Sequence, residues 1–197
     1  MSARLLALLV FVFAIGTTPG PTNAMVSASG ANFGYRRTLP HILGSLFGLP
    51  ALIVAMGLGL GRLFQAHPPL QQGLKVAGSA YLLYLAWRVV TAGRPQGPRG
   101  GGRPLTFVEA AAFQWVNPKI WLAGLAALAS YARAADGYWA DTLVVAAAFC
   151  GVVLLATNLW CLGGVAIGRA LASRRARLAF NLVMGLLIVL SIALLYL

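Results

Sequence analysis

Two short polar stretches interrupt an otherwise apolar chain, and their residue types suit the handling of a small charged solute. In FQWVNPKIW, Phe113 to Trp121, the side chains of Gln114, Asn117 and Lys119 gather around one proline. Pro118 brings no backbone donor, its ring meets the carbonyl of Gln114, and Asn117 before it is pushed away from helical angles, so a helix is kinked or broken there. An ammonium beside such a break is expensive to bury in hydrocarbon. Lys119 is therefore either kept for function or reaches an interface and satisfies carbonyls of the kink. The second stretch is Pro19-Gly20-Pro21, followed by Thr22 and Asn23. Pro21 suits the first position of a new helix, Gly20 tolerates unusual angles before it, and Thr22 and Asn23 can satisfy free amides in the first turn. Such a helix start points its positive dipole at a cavity and attracts a carboxylate, whereas an ordinary proline kink needs no ligand.

Other chemistry is sparse. The three acids, Glu109, Asp136 and Asp141, are too few hard oxygen ligands for a metal-cation site. His41 and His67 flank helix ends with no ligand spacing to each other or to the cysteines, and are read as interfacial residues. Cys150 and Cys161 fall on one apolar helix about 16 Å apart, beyond the ~7 Å reach of a disulfide, and are read as buried small hydrophobes. With no paired acids, no Ser and His arrangement and no metal cluster, neither an enzyme nor a cofactor is expected. Glu109 and Lys119 are the titratable groups available for coupling to an ion gradient.

The elements that must position these groups are membrane helices. The 197 residues are 60% hydrophobic and only 9% charged, with a mean hydropathy of +0.83, against roughly 25% charged in soluble domains. The net charge of +12 sits in short clusters between apolar runs, which points to topology signals and anionic lipid rather than nucleic acid. Beyond the first run, five more are long enough to cross a bilayer: His41 to Gly61, Leu70 to Val90, Leu105 to Ala129, Thr142 to Ile167 and Leu178 to Leu197. The first run, with Arg4 before it and TNA at Thr22 to Ala24 after it, has the layout of a cleaved leader. Cleavage would discard the Pro-Gly-Pro break, so the stretch is expected to be retained in a mature chain that begins at or near Met1.

Six spans then divide into a three-helix half over 1–92, a Gly/Pro/Arg linker over 93–104 and a second three-helix half over 105–197. Ten basic residues, Arg36, Arg88 and Arg174 among them, fall in the connectors after helices 1, 3 and 5, against four on the opposite side. The positive-inside rule places those connectors in the cytoplasm and both termini outside. An odd number of helices per half makes the halves inverted, and Pro21 matches Pro118 as Arg36 matches Arg133 at one common offset. The fold expected is all-α, with Pro-broken first and fourth helices, the arrangement that marks a transporter's binding site. The many glycines, Gly30, Gly34, Gly44 and Gly48 among them, read as close helix packing.

PGPTNAMVSASGANFGYRR with the following ILGSLFG, and FQWVNPKIWL in the second half, resemble the two signature regions of the lysine exporter and homoserine/threonine resistance (LysE/RhtB) family of bacterial amino-acid exporters. The resemblance covers essentially the whole chain. It implies a small multi-pass protein of the inner membrane that exports amino acids or close relatives, driven by an ion gradient as an antiporter would be, with a possible homodimer. By position it puts the substrate site at Pro19, Gly20, Pro21, Asn23, Asn117, Pro118 and Lys119, which Gln114 adjoins. Pro40 departs from the small or apolar residue usual in the family at the entry to the second span. The readings set against an amino-acid exporter are an exporter of another small solute or metal cation, and a scaffold that transports nothing.

Overall fold

The computed structural model describes residues 3–92, 102–133, 137–171, 173–193 and 196. Among them every regular element is a helix. Most of the 93–104 linker, Asp136 and Leu197 lie outside the described residues.

Helix α1, Ala3–Thr17, stops before the Pro-Gly-Pro stretch, and α2, Pro21–Phe33, opens with Pro21 in its first turn. The two axes bend by 53°. Between α2 and α3, Tyr35–Ala55, stands Gly34 at φ 80, a left-handed angle that costs an L side chain about 1 kcal/mol. A π-helical turn, Met56–Leu60, carries α3 into α4, Gly61–Ala66. Helix α5, Pro68–Thr91, follows. A capping box, in which the Thr106 side chain and the Glu109 side chain satisfy each other's backbone amides, opens α6, Phe107–Val116. Asn117 separates α6 from α7, Pro118–Tyr131, and the last two helices are α8, Tyr138–Ala170, and α9, Arg174–Ala193.

By length and composition, Tyr35–Leu63, α8 and α9 can each cross a membrane, and the bent α1–α2 pair makes a fourth such unit if taken as one span. Helix α5 is long enough, at 24 residues, but carries Gln71, Gln72, Lys75 and Arg88. Large apolar side chains such as Leu6, Phe47, Trp87, Leu143 and Leu186 stay exposed, the arrangement expected where lipid rather than water surrounds the helices.

Two readings of the second span need correction. The helix begins at Tyr35, six residues before His41, and runs through both Pro40 and Pro50. His41 is accordingly not interfacial but 1% exposed inside the bundle. Packing overrides the lost backbone bonds: Gly44 and Gly48 bring α3 so close to α6 that an added Cβ would lie 2.2 Å from the Phe107 carbonyl and 2.6 Å from the Ala111 Cα. The α2–α8 contact is as tight, with Gly30 against the Cys161 carbonyl, Gly164 against that of Ser27 and Gly168 against that of Ala31. On α8, Cys161 is buried while Cys150 is half-buried, and both are free thiols.

The apolar core has two main parts. One joins α1, α3, α7 and α8 through Val12, Leu52, Ala123 and Phe149. The other joins α2, α5, α6 and α9 through Met25, Leu85, Phe113 and Ile188. The chain passes from the first cluster to the second through the α1–α2 break, and from the second back to the first through the α6–α7 break.

Candidate functional site

The break after α1 frees the carbonyls of its last turn, which in an apolar surrounding cost about 1–3 kcal/mol each if left unpaired. Those of Gly16 and Thr17, and that of Thr18 just beyond, find side-chain donors. The Asn23 amide Nδ2 donates to Gly16 O at 2.8 Å and to Thr18 O at 2.9 Å. Trp160 Nε1 of α8 donates to Thr17 O at 3.1 Å. The third donor is the ammonium of Lys119, which reaches out of the other break to Thr18 O at 3.0 Å and Thr18 Oγ1 at 2.8 Å. Among the described residues Lys119 has no carboxylate partner; neutral dipoles hold its charge.

The second break is tied to the first by amide chemistry. Asn117 Oδ1 accepts the backbone N–H of Lys119 at 3.2 Å and so caps α7, while its Nδ2 donates across to Thr22 Oγ1 at 3.0 Å. The Thr22 hydroxyl donates to Gln114 Oε1 at 3.3 Å, and Gln114 Nε2 bonds Ser45 Oγ of α3 at 3.2 Å and Ala110 O at 3.2 Å. Asn23, Ser45, Gln114 and Asn117 are all buried. Trp121 Nε1 closes the outer side of this break on Trp115 O at 2.8 Å, and neither tryptophan lines the cavity described next.

Gly16, Gly20, Thr22, Asn23, Asn117 and Lys119 form the polar wall of a cavity of about 450 Å³, counted out into its open mouth. Ile15, Leu49, Phe149 and Val152 line its apolar side. No side chain caps the first turn of α2.

The expected site residues thus divide. Gly20, Asn23, Asn117 and Lys119 meet at one cavity. Pro21 and Pro118 are the first residues of the two second segments, and Gln114 joins through Thr22. Pro19 is outside the lining. Glu109 stands apart, in the first turn of α6, where Arg88 and Arg103 pair with it at 3.1 Å and 2.6 Å; the hydrogen bond to Glu109 raises the pKa of Arg103 still further.

Two expected roles change. Gly20 has φ −174 and ψ 175, extended backbone open to any residue. Its value is space, since a Cβ there would stand 3.0 Å from Lys119 Cδ and 3.1 Å from Nζ. Thr22 and Asn23 do not satisfy the amides of α2 but turn to the other break and to the carbonyls of α1. Thr18 and Ser45 were not singled out in the sequence. The signal for Thr18 was its place among the residues whose carbonyls a break must free; Ser45 left none.

A match to a known family covers residues 13–197, both breaks included, and the family is described as LysE type translocator. The chain belongs to the LysE type translocator family. It is a multi-pass membrane protein. Proteins called cysteine/O-acetylserine efflux protein, from Escherichia coli (strain K12), Shigella sonnei (strain Ss046) and Shigella flexneri, are each 32% identical over 116 residues. The aligned stretch covers 58% of this chain and 58% of each relative, so the chain spans less than two thirds of the length of these relatives in the match. No solved structure matches it.

Proposed function

We propose that this translocator exports amino acids or close derivatives across the bacterial inner membrane by the energy of an ion gradient. The observation that carries the reading is the Lys119 ammonium, delivered from one broken helix into the break of the other and held there by neutral acceptors beside a cavity. In this reading the uncapped amides after Pro21 and the charge of Lys119 receive the substrate carboxylate, while Asn23 and Asn117 fix its orientation. Pro19, Gly20, Pro21 and Pro118 shape the breaks, and Gln114 braces Thr22. The likeness to cysteine/O-acetylserine efflux proteins favours small amino acids such as cysteine and O-acetylserine as cargo.

The accompanying topology is six spans in two inverted halves, 1–92 and 105–197, joined by a cytoplasmic linker, with both termini periplasmic. The opposite sense in which the two broken pairs run between the core clusters supports it. Lys119 and Glu109 are the groups proposed for coupling. Export of radiolabelled O-acetylserine and cysteine from loaded vesicles tests the reading. Lys119→Met, compared at equal membrane abundance, is expected to reduce export roughly ten- to a hundredfold. Undiminished export by that variant would show the ammonium to be structural.

A further inference from the structure

At the end of the bundle where α5 stops and α6 begins, a second, small cavity of about 40 Å³ lies apart from the Lys119 site. Its walls come from Ser29, Phe33, His41, Leu85, Arg88 and Arg103, together with neighbouring residues. Among the described residues, His41 alone buries side-chain polar atoms without a partner, and both its ring nitrogens are in that state. A neutral imidazole has one N–H donor and one acceptor nitrogen. Leaving both unmet costs as much as two lost hydrogen bonds, an expense a functional site can bear and a structural core has no reason to keep.

The charges beside it have a definite sign. Arg88 Nη1 bonds Glu109 Oε1 at 3.1 Å, and Arg103 grips the same carboxylate twice, at 2.6 Å and 2.7 Å. The Thr106 amide adds a fourth donor at 2.7 Å. Two guanidinium groups against one saturated carboxylate leave an excess positive charge at the cavity wall. Arg103, with its side chain 55% exposed, stands at the outer edge. Ser29, which brings a hydroxyl to the lining, is already bonded to Thr38 at 2.8 Å.

We infer that this cavity is a second binding site, one that takes the carboxylate group of a small zwitterion. The carboxylate accepts from the His41 N–H and from Arg88, and the ligand's ammonium donates to the remaining imidazole nitrogen. Reaching those nitrogens requires the Arg88–Glu109–Arg103 cluster to part, so the site fills as that end of the bundle opens. That the zwitterion is the transported amino acid rests on the exporter reading above; that a carboxylate binds here does not.

The chain has two histidines, so His67→Gln leaves His41 as the sole source of imidazole signals. The protein is labelled with ¹⁵N in the imidazole ring, placed in lipid nanodiscs and titrated with sodium acetate and with O-acetylserine, with sodium chloride at matched ionic strength as control. A saturable shift of the His41 resonances is expected with both carboxylates, O-acetylserine acting at lower concentration because it meets both nitrogens. Arg88→Gln should weaken the response about tenfold. No His41 response, or an equal response to chloride, would overturn the site.

Unfolding temperature gives a second readout. His41→Leu should raise it in ligand-free protein by removing the two unmet polar atoms, and should abolish the rise that acetate produces in the parent. An acetate-induced rise undiminished in His41→Leu would also overturn the site. A His41 response in protein that exports no amino acid would defeat the exporter reading alone, and export without a His41 response would defeat the second site alone.

Discussion

Asn117 has one acceptor and one pair of donors, and uses the acceptor to start α7 and a donor to hold Thr22 of the other break. An acid could cap the helix but could not donate, and a leucine could do neither. The most selective test at this scale is Gly20. Its extended backbone accepts alanine at little cost, while the new methyl would meet the end of the Lys119 side chain. Gly20→Ala is expected to leave the unfolding temperature within the range of an ordinary surface change and to cut export by a few-fold, because the new methyl makes the end of the Lys119 side chain give by a few tenths of an ångström at a binding group. Export measured in vesicles alongside thermal unfolding checks it. The sequence pointed to Lys119, Asn117 and the proline breaks because each effect is local: a proline and its neighbours determine a break wherever they stand. It did not disclose Thr18 or Ser45, or which way Asn23 and Thr22 turn, because those depend on partners such as Gln114, which lies 92 positions from Thr22.

Among the elements, the glycine face of α8 tells packing from mere composition. A Cβ on Gly164 would lie 2.1 Å from the Ser27 carbonyl of α2, whereas one on the adjacent Gly163 would meet nothing within 4 Å. Gly164→Ala is therefore expected to destabilise by about 1–3 kcal/mol. Gly163→Ala should be neutral or stabilising by up to about 1 kcal/mol, as alanine gains in a helix interior. Detergent-solubilised unfolding of the pair separates the two outcomes. That glycines mark close approach was legible beforehand; which neighbouring glycine faces a helix and which faces outward was not, since the pattern leaves the rotation of α8 open. The start of α3 was misplaced for a related reason. Pro40 looks like a boundary when only the backbone bond it removes is counted, and ceases to be one when Gly44 and Gly48 fasten the helix to α6.

Over the whole molecule, the excess of basic residues in the odd connectors predicts which side each faces. Reporter fusions within 93–104 and after Arg177 are expected to report cytoplasm, and a fusion at Leu197 the periplasm; a cytoplasmic carboxyl terminus would defeat the six-span inverted topology. Helical class and the two-break plan were visible in the sequence, because apolar runs and prolines are written along it, whereas the division of the core into two clusters arises only when distant helices meet. The mutual repair of the breaks also has a consequence in time. Thr18 O receives a bond from Lys119, a residue made 101 positions later, and Thr17 O waits for Trp160, made 143 positions later. At a synthesis rate of about 5–20 residues per second, the first break stands for roughly 5–20 s before its lysine exists. Asn23, only a few residues away, is a donor to Thr18 O that depends on no later residue, so the first half carries within itself one of the two bonds that its break ends up with.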